Sequence, residues 1–317
     1  MKIIFPTYAL GTWAMGGGES WGPSDREESI RTIHRALDLG YTFIDTAPAY
    51  GSGLSEELLG EALVGKRDSC ILATKCGLIW GENDQGFVHM SRDGVTVRRN
   101  LSRVSIKEQV EESLKRLKTD YIDLLLTHWP AKEPLLTPVA ETVEAFEDLM
   151  QEGKIRSYGA CNVELPLLKE YQKWGSPAVI QNRYSLLHRV DEQLITYCEQ
   201  EGIVFQAYSP LERGLLSGRV GLDTPIEGRA KQTTIWFEKE KRASVLNLLS
   251  ALETISATYQ VSVANIILAW TAQVSKAMNV LVGARKVWQV EENSKALTLT
   301  LTEDDWNQIN SLAKELL

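Results

Sequence analysis

Tyr121-Ile122-Asp123-Leu124-Leu125-Leu126-Thr127 is nearly continuous in apolar side chains. A strand of that kind is covered on both faces, unlike the alternating strand of a sheet with one side in water. Working outward from it, seven further β-rich runs come into view: Tyr8–Thr12, Thr42–Asp45, Cys70–Lys75, Ile155–Ala160, Ala178–Gln181, Ile203–Tyr208 and Val280–Val282. Segments of helical period lie between them, at Arg26–Leu39, Ser55–Leu63, Ile106–Leu117, Pro138–Glu152, Glu164–Gln172, Glu192–Gln200, Ala243–Tyr259 with Val263–Gln273, and Trp288–Leu297. Strand and helix in alternation imply a parallel sheet. Eight such units predict an α/β fold closed as a (β/α)8 TIM barrel, one domain over residues 1–317; a doubly wound open sheet is the alternative.

Two connections are long for such a fold, Gly77–Ser105 after the third strand and Glu212–Arg242 after the seventh, and both read as lids or binding loops. Glu303–Leu316 reads as one more amphipathic helix, with Thr302 as its N-cap.

The 317 residues are 44% hydrophobic and 24% charged, with a formal net charge of −8. That composition suits a soluble globular chain, and without a concentrated basic face it argues against nucleic-acid binding. No apolar stretch approaches a membrane span and no export signal is legible near Met1, so no membrane association is expected. Cys70, Cys76, Cys161 and Cys198 form neither a metal spacing nor a disulfide framework, which makes a reducing cytoplasm the default and no metal the expectation.

Two motifs come close to nucleotide signatures and fail. Gly51-Ser52-Gly53-Leu54-Ser55-Glu56 has a glutamate where a dinucleotide fingerprint needs its third glycine, and Gly60 to Lys66 is followed by Arg67 where a phosphate loop needs Ser or Thr. The chemistry-bearing residues stand instead at the C-terminal ends of the early strands, the face on which barrels build their sites. Strand two ends at Asp45 and leads to Tyr50, strand three ends at Lys75, and strand four runs into His128. Singly, each has a bland reading as a turn former, a solvated end, a core histidine or a packing aromatic. Four proton-active groups at one mouth are hard to explain by packing, because burying them is unfavourable unless they pair.

With those residues in place, the chain resembles the aldo-keto reductase family over nearly its whole length. The matching motifs are Gly11-Thr12-Trp13, Gly40 to Gly51, Ala73-Thr74-Lys75, Thr127-His128-Trp129, Gly153 to Arg156, Cys161-Asn162, Gln181, Tyr208 to Leu211 and Gly283-Ala284-Arg285. It looks most like the bacterial branch of general stress proteins and methylglyoxal reductases. The resemblance implies an NAD(P)H-dependent reduction of aldehydes or ketones, small dicarbonyls or short aldoses among them. Tyr50 is then the general acid, its pKa lowered by the Lys75 ammonium; Asp45 holds Lys75 charged, and His128 directs the carbonyl oxygen.

The resemblance also implies a cofactor lying across the barrel mouth. Gly11, Thr12 and Trp13 are then near it, with Tyr208 stacked on the nicotinamide and Asn162 and Gln181 at its carboxamide. Ser209, Pro210, Leu211, Gly214, Leu215 and Gly218 follow the diphosphate; Gly283, Ala284, Arg285, Gln289, Glu292 and Asn293 close on the adenosine end. Arg285 suits a 2′-phosphate, which favours NADPH, with NADH possible. Cys161 stands where many members carry serine, a weaker donor beside the carboxamide site. Trp13, Trp80 and Trp129 are expected to wall the substrate pocket. Two rival readings stay open: a Schiff-base aldolase using Lys75, and a nicotinamide-binding regulatory subunit of an ion channel. Barrel loops carry specificity, so the substrate and the oligomeric state are not legible.

Overall fold

The computed structural model describes residues 3–81, 85–92 and 94–316. Its centre is a closed barrel of eight parallel strands, and all eight predicted runs supply one strand each. In chain order the elements are β1 (Tyr8–Gly11), α1 (Gly18–Trp21), α2 (Arg26–Asp38), β2 (Phe43–Asp45), α3 (Leu54–Ala62), β3 (Ile71–Cys76), β4 (Leu78–Ile79), β5 (Phe87–Arg92), β6 (Val95–Arg99), α4 (Arg103–Leu117), β7 (Leu124–Thr127) and α5 (Val139–Gln151). They continue as β8 (Tyr158–Cys161), α6 (Leu165–Trp174), β9 (Val179–Arg183), α7 (Glu192–Glu201), β10 (Val204–Tyr208), α8 (Arg229–Gln232), α9 (Lys239–Tyr259), α10 (Val263–Ala272), β11 (Met278–Gly283), α11 (Val287–Ser294) and α12 (Glu303–Lys314). The barrel order is β1-β11-β10-β9-β8-β7-β3-β2. Among the described residues no helix is long and apolar enough to cross a membrane.

The run that suggested the fold begins as a strand later than its composition predicts. Ile122 makes only an isolated parallel bridge to Ile155. Asp123 turns its carboxylate onto the Leu72 amide (3.0 Å), Arg67 (2.6 Å) and Arg156 (2.8 Å). The ladder to β3 and β8 starts only after this charged cluster at the closed end of the barrel.

The long connection after β3 is not irregular. It holds a three-stranded antiparallel sheet in the order β4-β6-β5. The alternation in Val95-Thr96-Val97-Arg98 carried that signal, and Gly94, at φ 73°, supplies the turn conformation that residues with a Cβ rarely adopt. The connection after β10 winds through short helical turns at Glu212–Ser217, α8 and Ile235–Phe237, and α9 starts four residues ahead of the predicted Ala243. Thr302 caps α12 as expected, its side chain accepting from the Asp305 amide.

Two apolar layers hold the barrel. The larger lies between strands and helices, around Leu10, Ile44, Leu72, Leu125, Phe146 and Trp270. A smaller cluster fills the interior from Ala9, Phe43, Ala73, Leu124, Leu126 and Val179, with Phe5 against Phe43 at the closed end. Bulky side chains from facing strands thus make a packed floor to the barrel interior.

Candidate active site

Asp45 is the last residue of β2 and Lys75 the last but one of β3; both are buried. Lys75 Nζ donates to Asp45 Oδ1 at 2.7 Å and Oδ2 at 2.9 Å, to the Thr46 carbonyl at 2.9 Å and to Tyr50 Oη at 3.1 Å. Tyr50 is half-buried, on the loop between β2 and α3. That loop is fixed by a close backbone crossing. Gly51 has φ 66°, and a Cβ there would collide with the Gly16 carbonyl, as one on Gly16 would with Tyr50. The Tyr50 and His128 rings meet edge to face at 5.8 Å, with the His128 amide anchored to the Cys76 carbonyl at 2.8 Å. The structure therefore brings all four predicted residues to one end of the barrel.

The electrostatics differ from expectation in one respect. Burial pushes the Tyr50 phenol up, and the Lys75 ammonium only partly offsets that, so the hydroxyl is held above its ordinary value rather than below it. Burial pushes the Asp45 carboxyl up as well, against the pull of Lys75 and Gln181. For Lys75, burial works downward, but the Asp45 charge prevails and keeps the amine protonated. A Schiff-base nucleophile needs a neutral amine, so this pairing disfavours the aldolase reading.

Gln181 and Asn162 are engaged by the protein itself. Gln181 Nε2 donates to Asp45 Oδ2 at 2.8 Å and to Gln206 Oε1 at 2.5 Å, and its Oε1 accepts from the Cys161 thiol at 3.4 Å. Gln206 continues to Asn279 Oδ1 at 2.8 Å, and Asn279 to the Pro6 carbonyl at 2.6 Å. This file of amides runs down the barrel from the buried pair. Gln206 and Asn279 were missed in the sequence; a polar side chain inside an otherwise apolar strand run was the available signal. Asn162, at φ 57°, donates to the His128 carbonyl at 2.9 Å and accepts from Tyr208 Oη at 2.8 Å. Burial pushes the Cys161 thiol up, consistent with an inert packing residue.

The remaining predicted positions spread around the mouth. Thr12 is fully buried, its hydroxyl donating to the Asp45 carbonyl at 2.9 Å, so it joins β1 to β2; a Cβ on Gly11 would press on Leu281. Trp13 stacks edge-on against Trp21 at 5.2 Å, lies 6.2 Å from Tyr50, and has the Arg213 guanidinium 5.6 Å from its ring. Ser209 takes φ 56° and Pro210 is buried behind it; Leu211 is half-buried, and Leu215 points into the core instead of the mouth. The turn is anchored by Glu212, which bonds Arg183 and Ser185.

Ala284 is buried, and Arg285 donates to the Trp21 carbonyl at 2.8 Å while its amide is held by Gln289 at 2.9 Å. Glu292 accepts from Asn265 at 3.0 Å, and Asn293 is buried beside it. Gly214, Gly218 and Gly283 have open space where a Cβ would sit, so their backbones line an accessible surface. Trp80 and Trp129 pack with Met90 on a small cluster of Ala49, Leu78 and Val97; Arg99 lies over Trp129 at 4.9 Å and His89 at 5.1 Å. The antiparallel sheet after β3 thus packs against Ala49, the residue before Tyr50. His89 and Arg99 had not been singled out in the sequence.

A parallel eight-stranded barrel carrying a buried lysine–aspartate pair under a tyrosine is the architecture of an oxidoreductase of the (β/α)8 class. The model of the aldo/keto reductase family matches residues 8–314, and the chain belongs to that family. It is 40% identical over 317 residues to a protein of Escherichia coli K12 named NADH-specific methylglyoxal reductase, covering 99% of this chain and 96% of that one. Among solved structures it is similar to the glycerol dehydrogenase AKR11B4 of Gluconobacter oxydans, with a TM-score of 0.88 and 32% identity over 100% of this chain and 94% of that one. It is also similar to an aldo/keto reductase of Klebsiella pneumoniae solved with NADP and acetate, with a TM-score of 0.73 and 26% identity over 97% and 91% of the two chains.

Proposed function

We propose that this chain is a nicotinamide-dependent carbonyl reductase, taking aldehydes and ketones and, among them, small dicarbonyls such as methylglyoxal or short aldoses. The observation that carries the reading is the 3.1 Å hydrogen bond from Lys75 to Tyr50 Oη. Because Lys75 donates, the phenol oxygen accepts, and the hydroxyl proton is left to point at a second acceptor. A carbonyl oxygen gaining negative charge is such an acceptor. Asp45 keeps the lysine charged, so that the phenolate left after proton transfer faces a fixed cation. His128, beside the Tyr50 ring, is the second donor for the carbonyl oxygen and orients it.

The residues at the mouth fit a nicotinamide dinucleotide. Tyr208 and Asn162 take its nicotinamide end, and Gln181 stands behind them on Asp45. The open backbone at Gly214 and Gly218, with Ser209 and Leu211, offers donors to a diphosphate. Gly283, Arg285, Gln289, Glu292 and Asn293 are the adenosine end. When bound, the cofactor supplies the hydride. The names of the relatives support both nicotinamide forms, NADH for the Escherichia coli protein and NADP for the Klebsiella structure. In this reading Trp13, 6.2 Å from Tyr50, walls the substrate side of the site together with Trp80 and Trp129, which pack around Ala49.

The test is consumption of NADPH or NADH by the purified chain with methylglyoxal and with an aromatic aldehyde, alongside Tyr50→Phe. Consumption by the wild type alone, with cofactor binding retained in the variant, supports the reading. Binding of either cofactor without turnover across a broad aldehyde panel would favour a regulatory role instead.

A further inference from the structure

The turn after β10 is built on backbone that residues with a Cβ rarely adopt. Ser209, Glu212 and Arg213 take φ 56°, 45° and 57°, and Gly214 follows at 93°. Three left-handed residues other than glycine within five positions are unfavourable, and such a conformation persists only where its surroundings fix it. Part of the fixing is local: the Glu212 amide donates to the Ser209 carbonyl at 2.9 Å, and those of Gly214 and Leu216 donate to the Leu211 carbonyl at 2.9 and 3.2 Å. The rest comes from the Glu212 side chain. It is fully buried, and it accepts from Arg183 through one carboxylate oxygen and from the Ser185 hydroxyl through the other.

Arg183 is the last residue of β9 and pairs in register with Tyr208, the last residue of β10. Its neighbour Asn182 is fastened to the connection after β8, accepting from the Val163 amide at 3.1 Å and donating to the Val163 carbonyl at 2.8 Å. Two successive residues at the end of β9 therefore hold two different loops. Asn182 holds the one that carries Asn162, and Arg183 holds the one that carries residues 209–214. The Tyr184 amide adds a bond to the Tyr208 carbonyl at 3.3 Å. A buried ion pair contributes little net stability once desolvation is counted, and its best-attested use is to fix register. Among the described residues, Glu212 is the one carboxylate within ion-pair distance of Arg183.

We propose that Glu212 is a positioning residue of the cofactor site. Through Arg183 and Ser185 it holds residues 209–214 against the end of β9, and so fixes the spacing between the nicotinamide end, at Asn162 and Tyr208, and the diphosphate turn. The inference rests on the reductase reading. Being fully buried, Glu212 offers no surface to a ligand; it acts by keeping the strained turn in its binding conformation before the cofactor arrives. Without that hold the left-handed residues relax toward commoner backbone, and re-forming the turn opposes binding. The diphosphate is common to both nicotinamide forms, so the effect is the same for NADPH and NADH.

The experiment is titration of the full chain with NADPH and with NADH, followed by quenching of tryptophan fluorescence, with circular dichroism melts as a fold control. The proteins are the wild type, Glu212→Gln, Arg183→Met, the double variant and Ser185→Ala. Glu212→Gln and Arg183→Met should each weaken whichever cofactor the wild type binds by about ten-fold, the scale of one charge-assisted hydrogen bond, and by the same factor if it binds both. The double variant should be no worse than either single one, because the two residues act as one unit. Ser185→Ala keeps the ion pair and should lose about three-fold in the same sense. In steady state the KM for cofactor should rise by more than kcat falls. Unchanged affinity in a folded Glu212→Gln of lowered melting temperature overturns the inference, since the pair then supports only the fold; if Glu212→Gln does not fold, unchanged affinity in Ser185→Ala does so. Losses that multiply in the double variant overturn it too, because they give Arg183 a contact of its own with the cofactor, and so does a fall in kcat with affinity unchanged. If the wild type binds neither cofactor, the reductase reading fails and the inference fails with it.

Discussion

Gln181 Nε2 lies 2.8 Å from Asp45 Oδ2, joining residues 136 positions apart in the chain. Asp45 thus receives donors from two sides, Lys75 and Gln181, and Gln181 is held in turn by Gln206 and Asn279. Gln206 is paired in register with both Gln181 and Asn279 on the neighbouring strands, so the three amides stand side by side and step down the barrel. Replacing Gln206 by Leu removes the middle of the file and leaves the Asn279 acceptor buried without its donor. A loss of about 1–3 kcal/mol is expected in urea unfolding. The turnover of Gln206→Leu should fall as well, because Gln181 becomes free to leave Asp45. A variant as stable as the wild type would show that the file does not support the pair.

Lys75→Met removes a buried cation and leaves the Asp45 carboxylate uncompensated. Breaking one side of such a pair is expected to destabilise by about 3–5 kcal/mol. In the double variant Asp45→Asn with Lys75→Met no charge remains to be buried, so much of that stability should return while reductase activity does not. Thermal unfolding and cofactor consumption on the same three proteins separate the two roles.

Because burial holds the Tyr50 phenol above its ordinary pKa, the hydroxyl stays protonated through the neutral range. Reduction should therefore show no loss attributable to Tyr50 until well above about pH 10, the ordinary tyrosine value. A tyrosinate absorbance that appears near neutrality in the wild type and is absent from Tyr50→Phe would contradict this.

The same raised values bear on stability. Tyr50 and Lys75 both bind their protons more tightly in the folded chain than in the unfolded one. Their contribution is complete below the unfolded pKa values, about 10 for each, and is lost as pH rises through the folded ones. Melting temperatures recorded from pH 8 to 11 should decline on the alkaline side, with a shallower slope in the Asp45→Asn, Lys75→Met double variant.

Gly51→Ala meets two obstacles, a positive φ and the Gly16 carbonyl, whereas Gly65 has φ 72° with open space around it. Gly65→Ala should cost about 1 kcal/mol of backbone strain and leave activity intact. Gly51→Ala should be more destabilising and should also lower kcat, since the chain that must shift carries Tyr50. Equal effects of the two substitutions on both quantities would mean that the Gly16–Gly51 crossing does not position the tyrosine.

The eight strands and the four residues at the mouth were legible because they depend on local pattern. Apolar runs declare strands covered on both faces, and in a parallel barrel every strand end falls on one rim, so Asp45, Lys75 and His128 are brought together by chain direction alone. The antiparallel sheet after β3 was less legible, since its strands are short and broken by glycines and charges whose composition matches a loop.

What the sequence determined by itself was the barrel, the kind of chemistry gathered at its rim and the family that shares both. What only the tertiary structure decided was how those groups are charged and which partners they hold. The direction of the Tyr50 shift depends on how far the ring is withdrawn from water against how near Lys75 comes. The engagement of Gln181 by Asp45 depends on strands that meet across 136 residues of chain. Burial and distance are properties of the packed molecule, and they set the strength of every charge interaction in the site.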